Sequence, residues 1–166
     1  LPICFFNNFV AHVSLLSGEQ IAIIYYILNY LFMYKVEHIG IAVKDLSVSV
    51  PLYEQLLNTD CYKKEAVETE GVQTAFYLTG ASKIELLESM QPDGVISRFI
   101  EQKGEGLHHI AFEVPDIRAE MSRLRAAGFR LLSDEPKKGA DNKWVCFVHP
   151  KSAGGVLVEL CEEIKK

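Results

Sequence analysis

VEHIGIAVKDL, residues 36–46, recurs as LHHIAFEVPDI, residues 107–117, and this recurrence decides the fold. His38 falls on His109, Ile39 on Ile110, Val43 on Val114 and Asp45 on Asp116, each pair 71 positions apart. Both copies open as alternating strands and continue into amphipathic segments. Apolar residues recur at helical spacing as Leu46, Val50, Tyr53 and Leu57 in the first, and as Ile117, Met121, Leu124 and Ala127 in the second. Asn58 and Gly128 suit left-handed helix stops. Pro51 requires the first helix to begin near Ser47 or Val48, so that the ring falls in the opening turn.

Short strands separated by turn signals follow each helix. They are YKKEAV, VQTAFYL and KIELLES in the first half, and FRLL, WVCFVHP and VLVELCE in the second. The closing strands also correspond, with Glu85 matching Glu159 at a spacing of 74. Each half is strand, helix, three strands. Repeat 1 spans residues 35–90 and repeat 2 residues 106–163, and the linker 91–105 reads as a short helix bounded by glycines. The fold class is α+β: two tandem βαβββ modules that pair about a pseudo-twofold axis into one curved mixed sheet.

Strand side chains alternate between faces, which sorts the histidines. In the first copy Ile39, Ile41 and Val43 share the face that packs on the helix, while His38, Gly40 and Ala42 take the other. In the second copy Ile110, Phe112 and Val114 share a face with His108, whereas His109 stands opposite with Ala111. His109 is therefore the partner of His38, and His108 is expected to be structural. Ile84 and Leu86, like Val158 and Leu160, face the helices, so Glu85 and Glu159 project to the other side. Two histidines and two glutamates, one of each per repeat, converge if the halves pair as expected. Buried carboxylates without partners are costly, so a matched set of this kind reads as a metal site. Mixed imidazole and carboxylate donors suit a divalent cobalt, manganese, zinc or nickel ion rather than a soft thiolate metal.

Composition bounds the rest. At 166 residues and 18.7 kDa the chain can bury one good core. Its 17 Lys plus Arg against 22 Asp plus Glu leave a net charge of -5 with no long basic run, so nucleic acid is not an expected partner. Cys4, Cys61, Cys146 and Cys161 are scattered without a CxxC pair, which fits a reducing, cytoplasmic setting. Residues 1–32 carry no Lys or Arg, and their longest apolar run, Ile21 to Tyr30, falls short of the ~20 residues of a spanning helix. They are expected to be an extension without chemistry, with no membrane partner, ahead of a single domain at 33–166.

The stretches HIGIAV, GLHHIAFEV and above all HPKSAGGVLVEL from His149 resemble the methylmalonyl-CoA epimerases of the vicinal oxygen chelate (glyoxalase-like) superfamily. The likeness runs from Met33 to Glu162. It implies metal ligands at His38, Glu85, His109 and Glu159, with cobalt as the leading ion and a glutamine often standing where Glu85 stands here. It also implies a homodimer and a metal-assisted proton transfer at C2 of methylmalonyl-CoA through an enolate. Glu159 is a candidate base. The position where some relatives place a second catalytic glutamate falls on Gln73 or Thr74, so the second base stays open between Glu68, Glu70 and Glu85. Lys151 and Ser152, within the closing motif, are candidates for substrate contact, and Lys137, Lys138 and Lys143 for the CoA phosphates. A glyoxalase I-type lyase and a metal-free ligand-sequestering protein of the same fold are the alternatives. The closing motif argues against the first and the retained ligand set against the second.

Overall fold

β1 (Lys35–Ala42) lies antiparallel to β5 (Gly106–Glu113), and the two repeats extend outward from this central pair. On one side β1 runs parallel to β4 (Ser82–Ser89), followed by β3 (Val72–Thr79) and β2 (Lys63–Val67). On the other, β5 runs parallel to β8 (Val158–Glu163), followed by β7 (Lys143–Val148) and the two-residue β6 (Lys137–Lys138). Among the described residues three α-helices complete the fold: α1 (Leu46–Leu57), α2 (Val95–Lys103) and α3 (Ile117–Ala126). This computed structural model describes Ser17 and residues 35–165; apart from Ser17, the expected N-terminal extension lies outside the described residues.

The repeat helices start in the same way. Asp45 accepts a hydrogen bond from Ser47 N–H and Asp116 from Ala119 N–H, satisfying donors that a helix leaves open at its first turn. A carboxylate on the last strand of each repeat takes the first helical N–H, Glu88 from Leu46 and Glu162 from Ile117. Asn58 ends α1 in the left-handed conformation at φ 50°, and Gly128 follows α3 at φ 86°.

Strand parity holds along β4 and β8. Leu86 packs with Val43, Leu46, Val50 and Tyr77 beneath α1, and the buried Tyr77 hydroxyl donates to Val50 O. Leu160 packs with Ile117, Met121 and Leu124 beneath α3. The opposite face carries Ala42, Val67, Val72 and Leu87, covered in part by Ile96 of α2. Two expectations need correction. α1 begins at Leu46, not Ser47 or Val48, because the Asp45 cap fixes its start; Pro51 therefore lies inside the helix, exposed. FRLL is not a strand. Leu131 makes only an isolated bridge to Val148, and the sheet's edge is β6 instead.

The sheet curls until its ends meet. Asp141, on the β6–β7 turn, donates its N–H to Glu65 of β2 at 2.9 Å, and its carboxylate accepts from Lys63 at 3.2 Å and from Tyr62 at 3.2 Å. The concave face so enclosed holds the site.

Candidate metal centre and active site

Two rows of residues cross the sheet and carry the polar set. In one, Glu85 of β4 pairs with Gly40 of β1, which pairs with His109 of β5. In the other, Glu159 of β8 pairs with Ala111 of β5, which pairs with His38 of β1. The rows are copies of each other, and the small residue in the middle of each makes room for its neighbours. At Gly40 the room is essential: a Cβ there would stand 2.2 Å from Cε1 of His109.

His38, Glu85, His109 and Glu159 are all buried and face one another. The two Nε2 atoms are 2.9 Å apart. Glu159 Oε2 lies 3.2 Å from His109 Nε2 and 3.8 Å from His38 Nε2, while Glu85 Oε2 lies 3.3 Å from His38 Nε2 and 3.5 Å from His109 Nε2. His38, His109 and Glu159 offer ligand atoms within 4.8 Å of one another and form a buried group that could hold a metal ion. The donor set and the Gly40 cradle both fit such an ion.

The electrostatics follow from this crowding. Burial disfavours a charge on His38, but hydrogen bonds to Glu37 and Glu85 and the charges of Glu85 and Glu159 prevail, pushing it up to about 10. His109 moves the opposite way, held well below its ordinary value by burial and by the charges of His38 and His108. Burial pushes Glu159 up to about 8.

The four polar side chains line a cavity whose walls are largely apolar, with Val67, Val72, Phe76, Leu87, Ile96 and Phe147 among them. An apolar pocket with a few converging polar groups is the usual form of a small-molecule site. Glu70, on the β2–β3 turn and 3.8 Å from Lys137, also lines it. Thr74 lines it too, but its hydroxyl donates to Glu65 O. Gln73 and Glu68 are exposed and outside the lining.

Other expected residues fall elsewhere. Lys151 and Ser152 sit on a 3-10 turn (Pro150–Ser152) away from the cavity lining, where Lys151 is exposed and Ser152 Oγ accepts from Arg130 N–H. Lys137 and Lys143 line the cavity and Lys138 does not. Lys143 is buried against Glu163 at 2.6 Å and Glu37 at 3.5 Å, so it serves as an internal counter-charge. His108 departs from strand parity. It lines the cavity beside His109, with the Nδ1 atoms 3.0 Å apart. Sequence reasoning missed Glu37, whose Oε2 lies 2.7 Å from Nδ1 of His38; its only signal is a carboxylate next to a strand histidine.

Comparison with known proteins places the chain among relatives of one family. Residues 37–147 match the model of the glyoxalase/bleomycin resistance protein/dioxygenase superfamily. The chain is 40% identical over 128 residues to the ethylmalonyl-CoA/methylmalonyl-CoA epimerase of Cereibacter sphaeroides, covering 76% of this chain and 96% of that one. It is 39% identical over 127 residues to the mitochondrial methylmalonyl-CoA epimerase of Homo sapiens, covering 76% and 72%. A solved methylmalonyl-CoA epimerase in complex with methylmalonyl-CoA and NH4+ superposes at a TM-score of 0.75 with 36% identity, covering 79% of this chain and 95% of that chain.

Proposed function

This chain belongs to the glyoxalase/bleomycin resistance protein/dioxygenase superfamily, and from that premise we propose that it is an epimerase of methylmalonyl-CoA, inverting C2 through an enolate. The observation that carries the reading is the convergence of two histidines and two glutamates, one of each per repeat, in a single apolar cavity. We assign His38, Glu85, His109 and Glu159 as ligands of a divalent ion, cobalt first, with manganese, zinc and nickel suited to the same donors. When bound, the ion supplies Lewis acidity that makes the C2 proton more acidic and stabilises the enolate charge.

Inversion requires a proton acceptor on one face of C2 and a donor on the other. Glu159 is the group for one face. For the other we favour Glu70, a carboxylate that lines the cavity from the β2–β3 turn. Glu68 is exposed and outside the cavity lining, and Glu85, like Glu159, faces both imidazoles, so of the three candidates Glu70 alone lines the cavity clear of the ligand set. The apolar walls keep bulk water from the reacting carbon.

We further propose a homodimer built on α1, where Val48, Leu52 and Leu56 recur every four residues at 67%, 57% and 69% exposure. The unpaired Cys61, Cys146 and Cys161 support a reducing setting, the cytoplasm, and no helix among the described residues is long and apolar enough to cross a membrane.

Offering cobalt-loaded protein one epimer of methylmalonyl-CoA, and separately a glutathione hemithioacetal, tests the assignment. Turnover of the first alone is expected. Turnover of the second alone would make the protein a glyoxalase-type lyase, and ligand binding without metal uptake would make it a sequestering protein.

A further inference from the structure

We propose that Glu37 and His108 are the positioning residues of the two ligand histidines, each delivered to the site by a β-bulge at the same place in its repeat. The inference rests on the reading of His38 and His109 as metal ligands. Glu37 and His108 stand 71 positions apart, the spacing that separates His38 from His109. Side chains of neighbouring strand residues should point to opposite faces, yet each of these touches the histidine that follows it. The pairing of β1 with β5 supplies the reason. Its register shifts between Val36 and His38, leaving Glu37 as an extra residue on β1, and shifts again between Gly40 and Ile41, leaving His108 as an extra residue on β5. A bulge of this kind re-aims a side chain.

What the two side chains do follows from their hydrogen bonds. A carboxylate only accepts, so Nδ1 of His38 carries the proton toward Glu37 at 2.7 Å, and Nε2 is left as the nitrogen that faces the centre. Glu37 is itself held by Lys83 at 2.5 Å and by Lys143 at 3.5 Å. Of the facing Nδ1 atoms of His108 and His109, 3.0 Å apart, one must donate. With Nε2 of His109 facing the centre as the ligand lone pair, Nδ1 of His109 is the donor and His108 the acceptor. Phe99 fixes the His108 ring edge-on, with centroids 4.9 Å apart at 86°. Both ligands thereby present the same ring nitrogen inward, one oriented by a carboxylate and one by an imidazole.

Two-bond 15N–1H NMR of histidine-labelled, zinc-loaded protein reads the tautomers without any substitution. Protons on Nδ1 of both His38 and His109 are expected; a proton on Nε2 of either would overturn the inference. Competition titration with a chelator then gives zinc affinity. Glu37→Ala and His108→Ala should each weaken it about 10–100-fold, while Glu37→Gln and His108→Asn, which keep an acceptor oxygen near the lost one, should recover most of the loss. Parent protein that binds no zinc would overturn the metal reading and this inference with it. Parent protein that binds zinc, with alanine variants binding equally well, would overturn this inference alone. Should an alanine variant fail to fold, the tautomer measurement decides.

Discussion

At Gly40 the missing side chain is a requirement of the site. The position faces His109 across the β1–β5 pair, and a methyl group there would meet the imidazole at 2.2 Å. Gly40→Ala should therefore displace the ring, costing about 1–3 kcal/mol of stability by overpacking and at least about ten-fold in metal affinity. Chelator competition and thermal unfolding measure the two effects, and unchanged affinity would refute the cradle. Glu70 makes a separate claim. Glu70→Gln should leave metal content intact and lower epimerisation by about 10²–10⁴-fold; a variant at the parental rate would remove Glu70 from the chemistry. The convergence of His38, Glu85, His109 and Glu159 was legible in the sequence because all four obey strand parity in both repeats. His108 and Glu37 were not, because a bulge is a property of pairing between two strands and leaves no periodicity in either. Lys151 and Ser152 were drawn in by the specificity of their motif, which the fold uses to shape a turn and to bind Arg130 N–H.

Between elements, the contact that closes the sheet runs from the β6–β7 turn to β2. Partial burial disfavours a charge on Asp141, yet Lys83 and Lys63 hold its carboxyl below the ordinary value of 3.8. A lowered folded value stabilises the protein fully above the unfolded value, and the stabilisation is lost as the pH falls through the folded one. Asp141→Asn should thus cost about 1–3 kcal/mol near neutrality, and the gap from the parent should close as the pH drops below 3.8. Urea unfolding at several pH values measures this, and a gap that stayed constant into acid would contradict it. The sequence shows the elements that carry their own periodicity or stop signals, such as α1 with Asn58 and α3 with Gly128. It does not show which short apolar run becomes an edge strand. Leu131 and Leu132 bond across to Val148 and Phe147 without forming a ladder, whereas polar Lys137 and Lys138 do form one, because strand pairing is decided by backbone partners.

For the molecule as a whole, duplication explains why one small core can hold a polar centre. Each repeat contributes an imidazole, a carboxylate and a small residue, and antiparallel pairing of β1 with β5 brings the two sets together. The exposed stripe on α1 extends the prediction to assembly. Sedimentation should show a dimer that Leu52→Glu together with Leu56→Glu converts to monomer, and a monomeric parent would contradict the proposed interface. The proposed epimerisation requires this pseudo-symmetric centre to labilise the proton at C2 of methylmalonyl-CoA. Its most direct test is NMR of methylmalonyl-CoA in deuterated water with metal-free and with cobalt-loaded protein. Metal-dependent deuterium incorporation at C2 with inversion is the predicted result; no exchange in the presence of the loaded protein would rule out enolate chemistry at this centre.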